Sequence, residues 1–566
     1  MNAQEKHLVW LNSEKVSRED KQILRAMTEE EIEDSFFADI AFGTAGMRGR
    51  LGPGTNRINF FTIQRAAVGF ALYLLEKFED ATTRGVAISH DNRHFSREFT
   101  LLSARVLNAY GIKAYIFPSL RPTPLLSYAV RYSGCVGGIM ITASHNPKED
   151  NGFKVYDEDG AQLVPEKIDR LIAIIERLPN YLEIELPEKI MGITETYDSE
   201  IEEAYIRDVL KIQLQPKLPK DNFRVVFTPQ HGAGAELGRR LLKEVGYETY
   251  VVAEQMTPDP DFSMTPTPNP EDKRAYERAL KLARQKKAHL IMATDPDADR
   301  VGIVFLDRKG EYQFLNGNQS GALLINYLLS IRSALGLLSL NSRLYTTIVT
   351  SPLGPKIAAR FGIKTELFPT GFKFIGHAVS NSERENGPTF AFGYEESYGC
   401  LIAPIARDKD ALQAVVMYAE MTNHYLQKDQ YLDEVLEDIH QEFGYYEDPI
   451  DSIVFEGAQG KRALDQLLAD LRENPLTEIA GIKVVACTDF LKGVVRKPSG
   501  EYPLNFEVVD VIRYELETGD RVIIRPSGTE PKGKIYYSIV RATANEAKTA
   551  RSKLQAAMRK IISNYQ

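Results

Sequence analysis

A loop centred on a serine is the first candidate for chemistry. The segment Thr142-Ala143-Ser144-His145-Asn146-Pro147 follows an apolar run, residues 137–141, that predicts a buried strand. Ser144 would then lie at the carboxyl end of a strand, where open α/β sheets place ligand chemistry. A serine hydroxyl needs a partner to take its proton, and His145 and Lys154 are the nearby candidates. The alternative is an ordinary turn, because Ser, Asn and Pro form turns for local reasons.

Three aspartates, Asp295, Asp297 and Asp299, alternate with proline and alanine directly after a second apolar run, residues 289–293. In an extended loop every second side chain points the same way, so these carboxylates would repel one another unless a cation lay between them. Oxygen ligands alone indicate a hard ion, Mg²⁺ or Ca²⁺, rather than zinc. The alternatives are a solvated acidic turn and a degenerate calcium loop, although the glycine and distal glutamate of an EF-hand are missing. Arg300 could hold a phosphate beside the metal.

Two glycine-containing segments could bind anions. Residues 43–49 combine glycines with Arg48, so the backbone can approach an anion while the arginine forks onto it; the alternative is a flexible connection. Residues 525–532, Arg-Pro-Ser-Gly-Thr-Glu-Pro-Lys, offer an arginine, two hydroxyls and a glycine between predicted strands. Those are the ingredients of a phosphate cradle, but taken alone this second segment fits a hairpin turn better.

Other patterns exclude common functions. Gly232-Ala233-Gly234 hints at a dinucleotide fingerprint, but Gly238 comes one position too late, so the loop is interpreted as a tight turn with mild anion potential. His90 and His94 lack the glutamate of an HExxH motif and are interpreted as structural. The chain has no P-loop motif, which argues against ATP binding of that kind.

The composition of the 566 residues narrows the class of protein further. The net charge of −9 argues against a nucleic-acid surface as the main role. The three cysteines, Cys135, Cys400 and Cys487, are far apart and form neither a disulfide framework nor a zinc pattern. The charged N-terminal segment lacks an apolar signal core, and no apolar run is long enough to span a membrane. We therefore expect a cytoplasmic protein that binds neither nucleic acid nor membrane.

The chemistry-bearing loops close repeating units of strand, helix, strand, helix and strand. The first unit leads to Ser144, the second, from residue 223, leads to the aspartates, and the third, from residue 344, leads to residues 393–399. In the first unit Ser96 is expected to cap a helix. The repetition predicts an α/β fold with three similar mixed α/β domains facing one site.

The last part of the chain has a different pattern. Residues 411–443 predict a long amphipathic helical stretch leading out of the third unit. Short strands joined by polar turns follow, and a final helix begins after Thr543, which forms a capping box with Glu546. This pattern predicts a C-terminal α+β domain. The expected domain ranges are 1–205, 206–320, 321–445 and 446–566.

Four segments resemble, in the same order, the signature loops of the α-D-phosphohexomutases. They are residues 142–147, 295–300, 393–399 and 525–529. They extend over nearly the whole chain, one in each expected domain. The resemblance implies four domains around a central active-site cleft, a phosphorylated catalytic serine, Mg²⁺ and a sugar bisphosphate intermediate.

The resemblance also implies roles for individual residues. Ser144 would carry the phosphate. The Mg²⁺ ligands would be Ser144, Asp295, Asp297 and Asp299. The other catalytic residues would be His145, Lys154, Arg48 and Lys409. The substrate-binding residues would be Arg300, Thr370, Gly371, Lys373, Glu396, Ser397 and Arg407. The residues binding the phosphate that does not react would be Arg525, Ser527, Gly528 and Thr529.

Within the family, the phosphoglucomutase branch is the most similar, because residues 368–374 resemble its third-domain sugar loop and residues 407–410 its basic segment. The implied activity is that of an intramolecular phosphotransferase of the isomerase class. It would interconvert glucose 1-phosphate and glucose 6-phosphate through a phosphoserine enzyme, with glucose 1,6-bisphosphate as intermediate and activator. Phosphoryl transfer depends mainly on positioning and charge neutralisation, which a metal, arginines and a hydroxyl supply.

Alternatives remain at this point. Tyr394 stands where many glucose-acting members read Gly-Glu-Glu-Ser, a variant that resembles a branch with phosphopentomutase-like members and could narrow the cleft. Phosphopentomutase and phosphomannomutase are therefore alternative activities, and a sugar-phosphate phosphatase or a non-catalytic sensor are rivals from other classes. The expected partners are small phosphosugars, and the expected assembly is a monomer or a homodimer.

Overall fold

The computed structural model describes residues 1–43, 46–187, 191–455, 457–526 and 532–565. The chain packs as two compact units. The first contains residues 1–345 and 371–431, and the second contains residues 346–370 and 432–566. Among the described residues, no helix is both long and apolar enough to cross a membrane.

The first sheet has the strand order β1-β2-β6-β5-β3-β4-β7. Its part of the chain consists of Ala3–Asn12 (α1), Arg18–Ala26 (α2), Glu29–Phe36 (α3), Phe42–Gly43 (β1), Gly46–Arg50 (β2), Phe60–Lys77 (α4), Ala81–Arg84 (α5), Val86–His90 (β3), Ser96–Ala109 (α6), Ala114–Ile116 (β4), Thr123–Tyr132 (α7), Gly137–Ile141 (β5), Asp150–Tyr156 (β6), Pro165–Glu176 (α8), Thr194–Thr196 (β7) and Glu200–Leu210 (α9). Strands β3 and β5 are parallel and buried along their whole length, as expected for strands covered by helices on both faces.

The second sheet has the strand order β12-β11-β10-β8-β9. Its elements are Arg224–Thr228 (β8), Ala235–Val245 (α10), Glu248–Val251 (β9), Glu277–Lys286 (α11), Leu290–Thr294 (β10), Val301–Leu306 (β11) and Tyr312–Phe314 (β12). Strand β8 pairs in parallel with β9 and β10, whereas β10 pairs with β11 in the antiparallel sense.

The third repeat follows along the chain. Its elements are Gly317–Ala334 (α12), Ser342–Thr347 (β13), Leu353–Arg360 (α13), Lys364–Phe368 (β14), Phe372–Arg384 (α14), Thr389–Tyr394 (β15), Cys400–Leu401 (β16) and Ala411–Leu426 (α15). Within the first unit, β13 pairs with β15 in parallel and β15 pairs with β16 in the antiparallel sense. Helix α13 and strand β14 belong to the second unit.

The second unit is built on an antiparallel sheet. Its further elements are Leu432–Phe443 (α16), Tyr445–Glu447 (β17), Ile450–Val454 (β18), Gly457–Glu473 (α17), Glu478–Ile479 (β19), Ile482–Asp489 (β20), Val494–Lys497 (β21), Gly500–Pro503 (β22), Ile512–Leu516 (β23), Arg521–Pro526 (β24), Lys532–Arg541 (β25) and Ala544–Ser563 (α18). Apolar residues of α17, α18 and the sheet form one core. In a second apolar cluster of the same unit, Ile348 and Val349 pack with Phe490, Val511 and Tyr536.

The sequence patterns are largely confirmed, including the mixed α/β and α+β class and the Thr543–Glu546 capping box. The expectation for Ser96 is wrong: Phe95 precedes the helix, and Ser96 is its first residue. The Ser96 hydroxyl donates to Asp91 Oδ1 at 2.9 Å and accepts from Asn151 Nδ2 at 3.0 Å instead, whereas a capping hydroxyl accepts a backbone N–H. Residues 411–443 form two helices, with a turn at residues 427–431 between them.

One topological feature places the candidate loops. In each of the three repeats, one of the candidate loops joins a strand to its antiparallel neighbour. Residues 142–149 connect β5 to β6, residues 295–300 connect β10 to β11, and residues 395–399 connect β15 to β16. Both ends of each loop are therefore held by a hydrogen-bonded strand pair.

Candidate active site

The serine loop brings Ser144 to the aspartates of the second sheet. Ser144 is 2% exposed, and its Oγ donates to Asp295 Oδ2 at 2.8 Å. The same Oγ lies 3.2 Å from Nδ1 of His145. Burial, helped by the charges of Arg300 and Arg48, holds the pKa of His145 well below its usual range. The imidazole beside the serine is therefore neutral near pH 7 and can accept a proton.

Lys154 contacts the aspartates that follow β10. It belongs to β6, and its Nζ donates to Asp297 Oδ2 at 2.7 Å and lies 3.7 Å from Asp299 Oδ2. Only 3% of Lys154 is exposed. Lys154 therefore pairs with two carboxylates of the aspartate loop.

The three aspartates converge in a buried cluster. One carboxylate oxygen from each of Asp295, Asp297 and Asp299 lies within 4.8 Å of the other two, and none of the residues exceeds 1% exposure. Burial and the charges of Asp299 and Asp297 raise the pKa of Asp295 well above its usual range. Burial acts the same way on Asp299, but Lys409, Lys154 and Arg300 outweigh it and hold its pKa well below the usual range.

The cluster fits a divalent cation. Asp297 Oδ1 and Asp299 Oδ1 are buried and have no hydrogen-bond partner among the described residues. Buried polar atoms are normally satisfied, and an oxygen-only set of acceptors is what hard cations bind. The Asp295/Asp297/Asp299 cluster can therefore hold a metal ion, as the alternating spacing predicts.

The backbone of the aspartate loop is fixed from two sides. Asp295 Oδ1 accepts the N–H groups of Asp299 and Arg300, both at 3.1 Å. On the other side, a Cβ at Gly232 would lie 2.5 Å from Pro296 Cα, and Ala233 N–H donates to the Pro296 carbonyl at 2.7 Å. The glycines that hint at a dinucleotide loop thus allow close backbone packing against the aspartate loop.

The loop between β15 and β16, residues 395–399, lies against the aspartate loop. Arg300 forms an isolated antiparallel bridge with Gly399, and Val301 N–H donates to the Tyr398 carbonyl at 3.3 Å. Glu396 and Ser397, between these ends, are half-buried. Their carboxylate and hydroxyl can both make hydrogen bonds to a ligand with adjacent hydroxyls.

Glu395, the first glutamate of this loop, has a different environment. It is 5% exposed, and its Oε1 accepts the Gly371 N–H at 2.9 Å. Gly371, with φ +117°, precedes α14 in the first unit. Thr370 belongs to the second unit. Lys373 is 3% exposed, and burial lowers the pKa of its amine to about 8, with Asp169 opposing the shift.

The segment from Arg407 to Asp410 divides into structural and site residues. Lys409 Nζ lies 2.9 Å from Asp299 Oδ2. Asp408 accepts hydrogen bonds from Tyr156 and Gln162 of the first repeat. These contacts place only Lys409 of the segment against the aspartate cluster.

The contacts of Arg407 within the protein do not favour the predicted role in substrate binding. Arg407 is 1% exposed, and its guanidinium donates to the Ser380 hydroxyl, to the carbonyls of Pro404 and Ala406 and to Glu383. Protein acceptors therefore occupy the donors that a phosphosugar would need. We assign Arg407 to holding this segment in place.

Arg48 and Arg300 supply the other cations. Arg48 is half-buried, and its Nη1 donates to Asn146 Oδ1 of the serine loop at 3.4 Å. Arg300 pairs with Glu271 at 3.0 Å and lies 3.6 Å from Asp299 Oδ1. Both guanidinium groups therefore lie at the edge of the serine–aspartate cluster.

In the second unit, Arg525 lies next to the last residue of β24 and directly opposite Lys534 of β25. Ser527, Gly528 and Thr529 lie outside the described residues. Two cations directly opposite on neighbouring strands repel each other. An anion between them would relieve that repulsion, and the phosphate cradle expected at this segment stays a prediction.

Tyr394 does not narrow an open cleft. Its side chain is 1% exposed and stacks on Phe392, with ring centroids 5.6 Å apart. A Cβ at Gly321 of α12 would lie 2.5 Å from the tyrosine ring. The ring therefore fills the space between β15 and α12 within the domain core.

Sequence reasoning missed Thr123 and Glu271. Thr123 Oγ1 donates to Asp297 Oδ2 at 2.9 Å, and its N–H donates to the Asp297 carbonyl at 2.9 Å. Its placement between Pro122 and Pro124 indicates only a chain break. Neither residue is close in sequence to the loop that it contacts, so no local spacing reveals the contact. His90 and His94 are structural, as predicted, and bind the Asp91 carbonyl and Asp261.

Comparison with known proteins identifies similar chains. The family models of phosphoglucomutase/phosphomannomutase alpha/beta/alpha domains I, II and III match residues 39–182, 203–309 and 316–443, respectively. A phosphoglucomutase of Staphylococcus epidermidis is 38% identical over 525 residues, covering 92% of this chain and 94% of that protein. A phosphoglucomutase of Staphylococcus aureus is 36% identical over 524 residues, covering 92% and 93%.

Solved structures share the fold. The open form of parafusin, a phosphoglucomutase from Paramecium, is 20% identical, covers 94% of this chain and 96% of its own, and has a TM-score of 0.68. A phosphoglucomutase/phosphomannomutase family protein from Burkholderia thailandensis is 17% identical, covers 93% and 97%, and has a TM-score of 0.67.

Gly399 allows Lys409 to reach the aspartates. A Cβ at position 399 would lie 2.1 Å from Cδ of Lys409, and the three nearest atoms all belong to that side chain. Gly399→Ala should therefore destabilise the protein by about 1–3 kcal/mol through overpacking. In a Lys409→Ala background the same change should cost much less, because its clash partner is gone. Urea unfolding of the four proteins in this cycle measures the coupling, and additive effects would contradict the prediction.

Proposed function

Because this chain belongs to the phosphoglucomutase/phosphomannomutase family, we propose that it is a phosphoglucomutase that interconverts glucose 1-phosphate and glucose 6-phosphate. The observation that carries the proposal is the contact between Ser144 Oγ and the buried carboxylate of Asp295. A serine at a strand end is not specific by itself, but a serine hydroxyl in contact with a carboxylate of a candidate metal site fits phosphoryl transfer.

Ser144 is the proposed phosphate carrier. A phosphate on its Oγ would lie beside Asp295 and near the cations of Arg48 and Arg300. The buried surroundings exclude water, which strengthens these electrostatic interactions and limits loss of the phosphoryl group by hydrolysis. Those features favour a mutase over a phosphatase.

Asp295, Asp297 and Asp299 would hold Mg²⁺ together with an oxygen of the serine phosphate. A bound Mg²⁺ neutralises charge on the transferring phosphoryl group. The unpartnered oxygens of Asp297 and Asp299 support this assignment. Lys154 and Lys409 would balance the carboxylate charge that the metal leaves, through their ion pairs with Asp297 and Asp299.

The reaction consists of two transfers at one serine. In the first, a sugar hydroxyl attacks the phosphorus, the bond from phosphorus to Ser144 Oγ breaks, and the bisphosphate forms. The proton that leaves the sugar hydroxyl must reach Ser144 Oγ as the bond from phosphorus to the serine breaks, and His145, whose Nδ1 lies 3.2 Å from Oγ, would relay it. After the bisphosphate turns around, the reverse transfer from its other end restores the phosphoserine and releases the isomer. Free glucose 1,6-bisphosphate would phosphorylate an unmodified enzyme and so act as activator.

Sugar recognition is assigned to the third repeat. Glu396 and Ser397 would bind the adjacent equatorial hydroxyls on C3 and C4 of glucose. Mannose differs only at C2, so this pair does not exclude it, and Thr370 and Gly371 would have to contribute the remaining selectivity. Lys373, with an amine pKa lowered by burial to about 8, would meet an anionic ligand in the charged form.

The distal phosphate is assigned to the second unit. Arg525, followed by Ser527, Gly528 and Thr529, would bind the phosphate that is not reacting. An arginine fork on phosphate gives two charge-assisted hydrogen bonds. The repulsion between Arg525 and the opposed Lys534 supports an anion at this place.

The burial of Tyr394 bears on the alternative substrate. One of the two grounds for a pentose phosphate was a tyrosine that narrows the cleft, and this ring is packed against α12 instead. A hexose phosphate is therefore the proposed substrate class, with phosphomannomutase as the second candidate because the C2 hydroxyl is not read by Glu396 and Ser397.

Ser144→Ala removes the proposed phosphate carrier. Mutase activity should fall by several orders of magnitude, because the variant lacks the hydroxyl proposed to carry the phosphoryl group between the two transfers. Intact-mass analysis after incubation with glucose 1,6-bisphosphate should show a single added phosphate on the parent protein, mapped to Ser144, and none on the variant. Ser133→Ala, at an exposed serine after α7, is the control. Normal turnover by Ser144→Ala would contradict the mechanism.

Asp297→Asn removes one charge from the metal cluster at nearly constant size. The Kd for Mg²⁺ should rise by on the order of tenfold or more, because charged oxygen ligands set the affinity of such sites. Calorimetric titration with Mg²⁺ and activity as a function of Mg²⁺ concentration provide independent readouts. Asp221→Asn, at an exposed aspartate, is the control, and full activity in excess EDTA would refute the metal role.

The substrate assignment is tested with glucose 1-phosphate, mannose 1-phosphate and ribose 1-phosphate at one Mg²⁺ concentration. Glucose 1-phosphate should give the highest kcat/KM, since a site that binds hydroxyls rejects sugars that leave its groups unpaired. Release of inorganic phosphate, measured in the same assays, should be negligible. A lead of about tenfold for ribose 1-phosphate would overturn the hexose assignment, and rapid phosphate release would favour a phosphatase.

A further inference from the structure

Arg93 lies beneath the serine loop and has no assigned role. The residue is 3% exposed and belongs to the turn between β3 and α6. We infer that Arg93 is the positioning residue that holds Ser144 in its reactive orientation, an inference that rests on the proposed function. It would contact neither sugar nor metal, and would act only through the loop.

The guanidinium of Arg93 binds the loop along its length. Nη2 donates to the carbonyl oxygens of Ser144 at 2.7 Å and Asn146 at 2.5 Å. Nη1 donates to those of Pro147 at 2.6 Å and Asp150 at 2.9 Å. One rigid, planar cation therefore gathers four carbonyl groups, three from the loop between β5 and β6 and one from the first residue of β6.

A second connection reaches Ser144 through its N–H group. Arg93 Nε lies 3.2 Å from Asp91 Oδ2, and neither side chain is exposed. The same Asp91 oxygen accepts the Thr142 hydroxyl at 2.6 Å, and Thr142 Oγ1 accepts the Ser144 N–H at 2.8 Å. The Asp91–Arg93 pair thus fixes both the N–H and the carbonyl of the serine.

The second repeat closes this arrangement from outside. Phe262 is 4% exposed, and the centre of its ring lies 5.3 Å from the Arg93 guanidinium carbon. Asn92, beside Arg93, donates to the Asp259 carbonyl at 2.7 Å. An aromatic face over a guanidinium is attractive and keeps water away from its bonds. The domain that supplies the aspartates thereby also restrains the serine loop.

The backbone of Ser144 explains why such restraint is needed. Its φ is +52°, in the left-handed region that non-glycine residues rarely adopt. A conformation of this kind persists where its surroundings over-determine it. Without the bonds from Arg93 and Thr142, the loop can relax toward ordinary φ values, and Oγ would leave its 2.8 Å contact with Asp295.

Arg93→Lys is the direct test, because it keeps the charge and loses the fork. The single-turnover rate of phosphate transfer from glucose 1,6-bisphosphate to Ser144 should fall about 100-fold, the effect of misplacing a reacting atom by roughly 1 Å. The KM for glucose 1-phosphate and the Kd of the unphosphorylated enzyme for Mg²⁺ should stay within about twofold, since the sugar-binding residues and the three aspartates are unchanged. A general loss of structure would move all of these quantities together.

Arg57→Lys is the matched control. Arg57 is also a buried arginine, and it donates to the carbonyls of Asp34 and Asn56 and pairs with the Asp34 carboxylate. This variant should lower the unfolding temperature without changing the transfer rate. Thr142→Val provides a second test that keeps the side-chain shape and removes the hydroxyl that links the Ser144 N–H to Asp91; it should slow transfer in the same manner.

The outcomes separate the inference from the proposed function. Slowed transfer in Arg93→Lys and Thr142→Val, with KM and metal affinity preserved, supports the positioning role. If Arg93→Lys fails to fold, Thr142→Val decides, and an unchanged transfer rate in a folded variant overturns the inference alone. A parent protein that takes no phosphate on Ser144 overturns the proposed function and the inference with it.

Discussion

The structure depends on burying the carboxylates of Asp295, Asp297 and Asp299 within 4.8 Å of one another. Like charges at such distances in a dry environment are costly, and the surrounding elements can be understood as answers to that cost. Lys154 comes from β6 of the first sheet, Lys409 from the segment after β16, and Arg300 from the loop itself. The cluster therefore requires several repeats to pack together, which explains why a small chemical centre needs a long chain.

The repeated topology solves the positioning problem in one way. A loop that joins a strand to its antiparallel neighbour has both ends fixed by backbone hydrogen bonds, so its side chains have limited freedom without being part of a regular element. The serine, aspartate and sugar-loop candidates all occupy such connections.

The sequence predicted the class of the fold and the residues at the centre of the site, because strand ends and alternating aspartates are local signals. It predicted less well whatever depends on distant partners. Ser96 binds Asp91 instead of capping α6, Arg407 is satisfied by protein acceptors, and Lys154 pairs with aspartates of another sheet. Tyr394 could not be placed from its insertion alone, since the helix that receives its ring comes from earlier in the chain. Periodicity describes which face is apolar, but only packing decides which polar groups meet.

The division of the second unit has a consequence for synthesis of the chain. Residues 346–370 belong to that unit, yet residues 371–431 return to the first before the remainder follows. On the ribosome, Ile348 and Val349 emerge long before Phe490, Val511 and Tyr536, the residues that cover them. The first unit can complete its packing while the early segment of the second still waits with apolar groups uncovered. Synthesis from the N-terminus therefore leaves a nascent chain with a folded first unit and an exposed apolar segment, which is the kind of intermediate that molecular chaperones recognise.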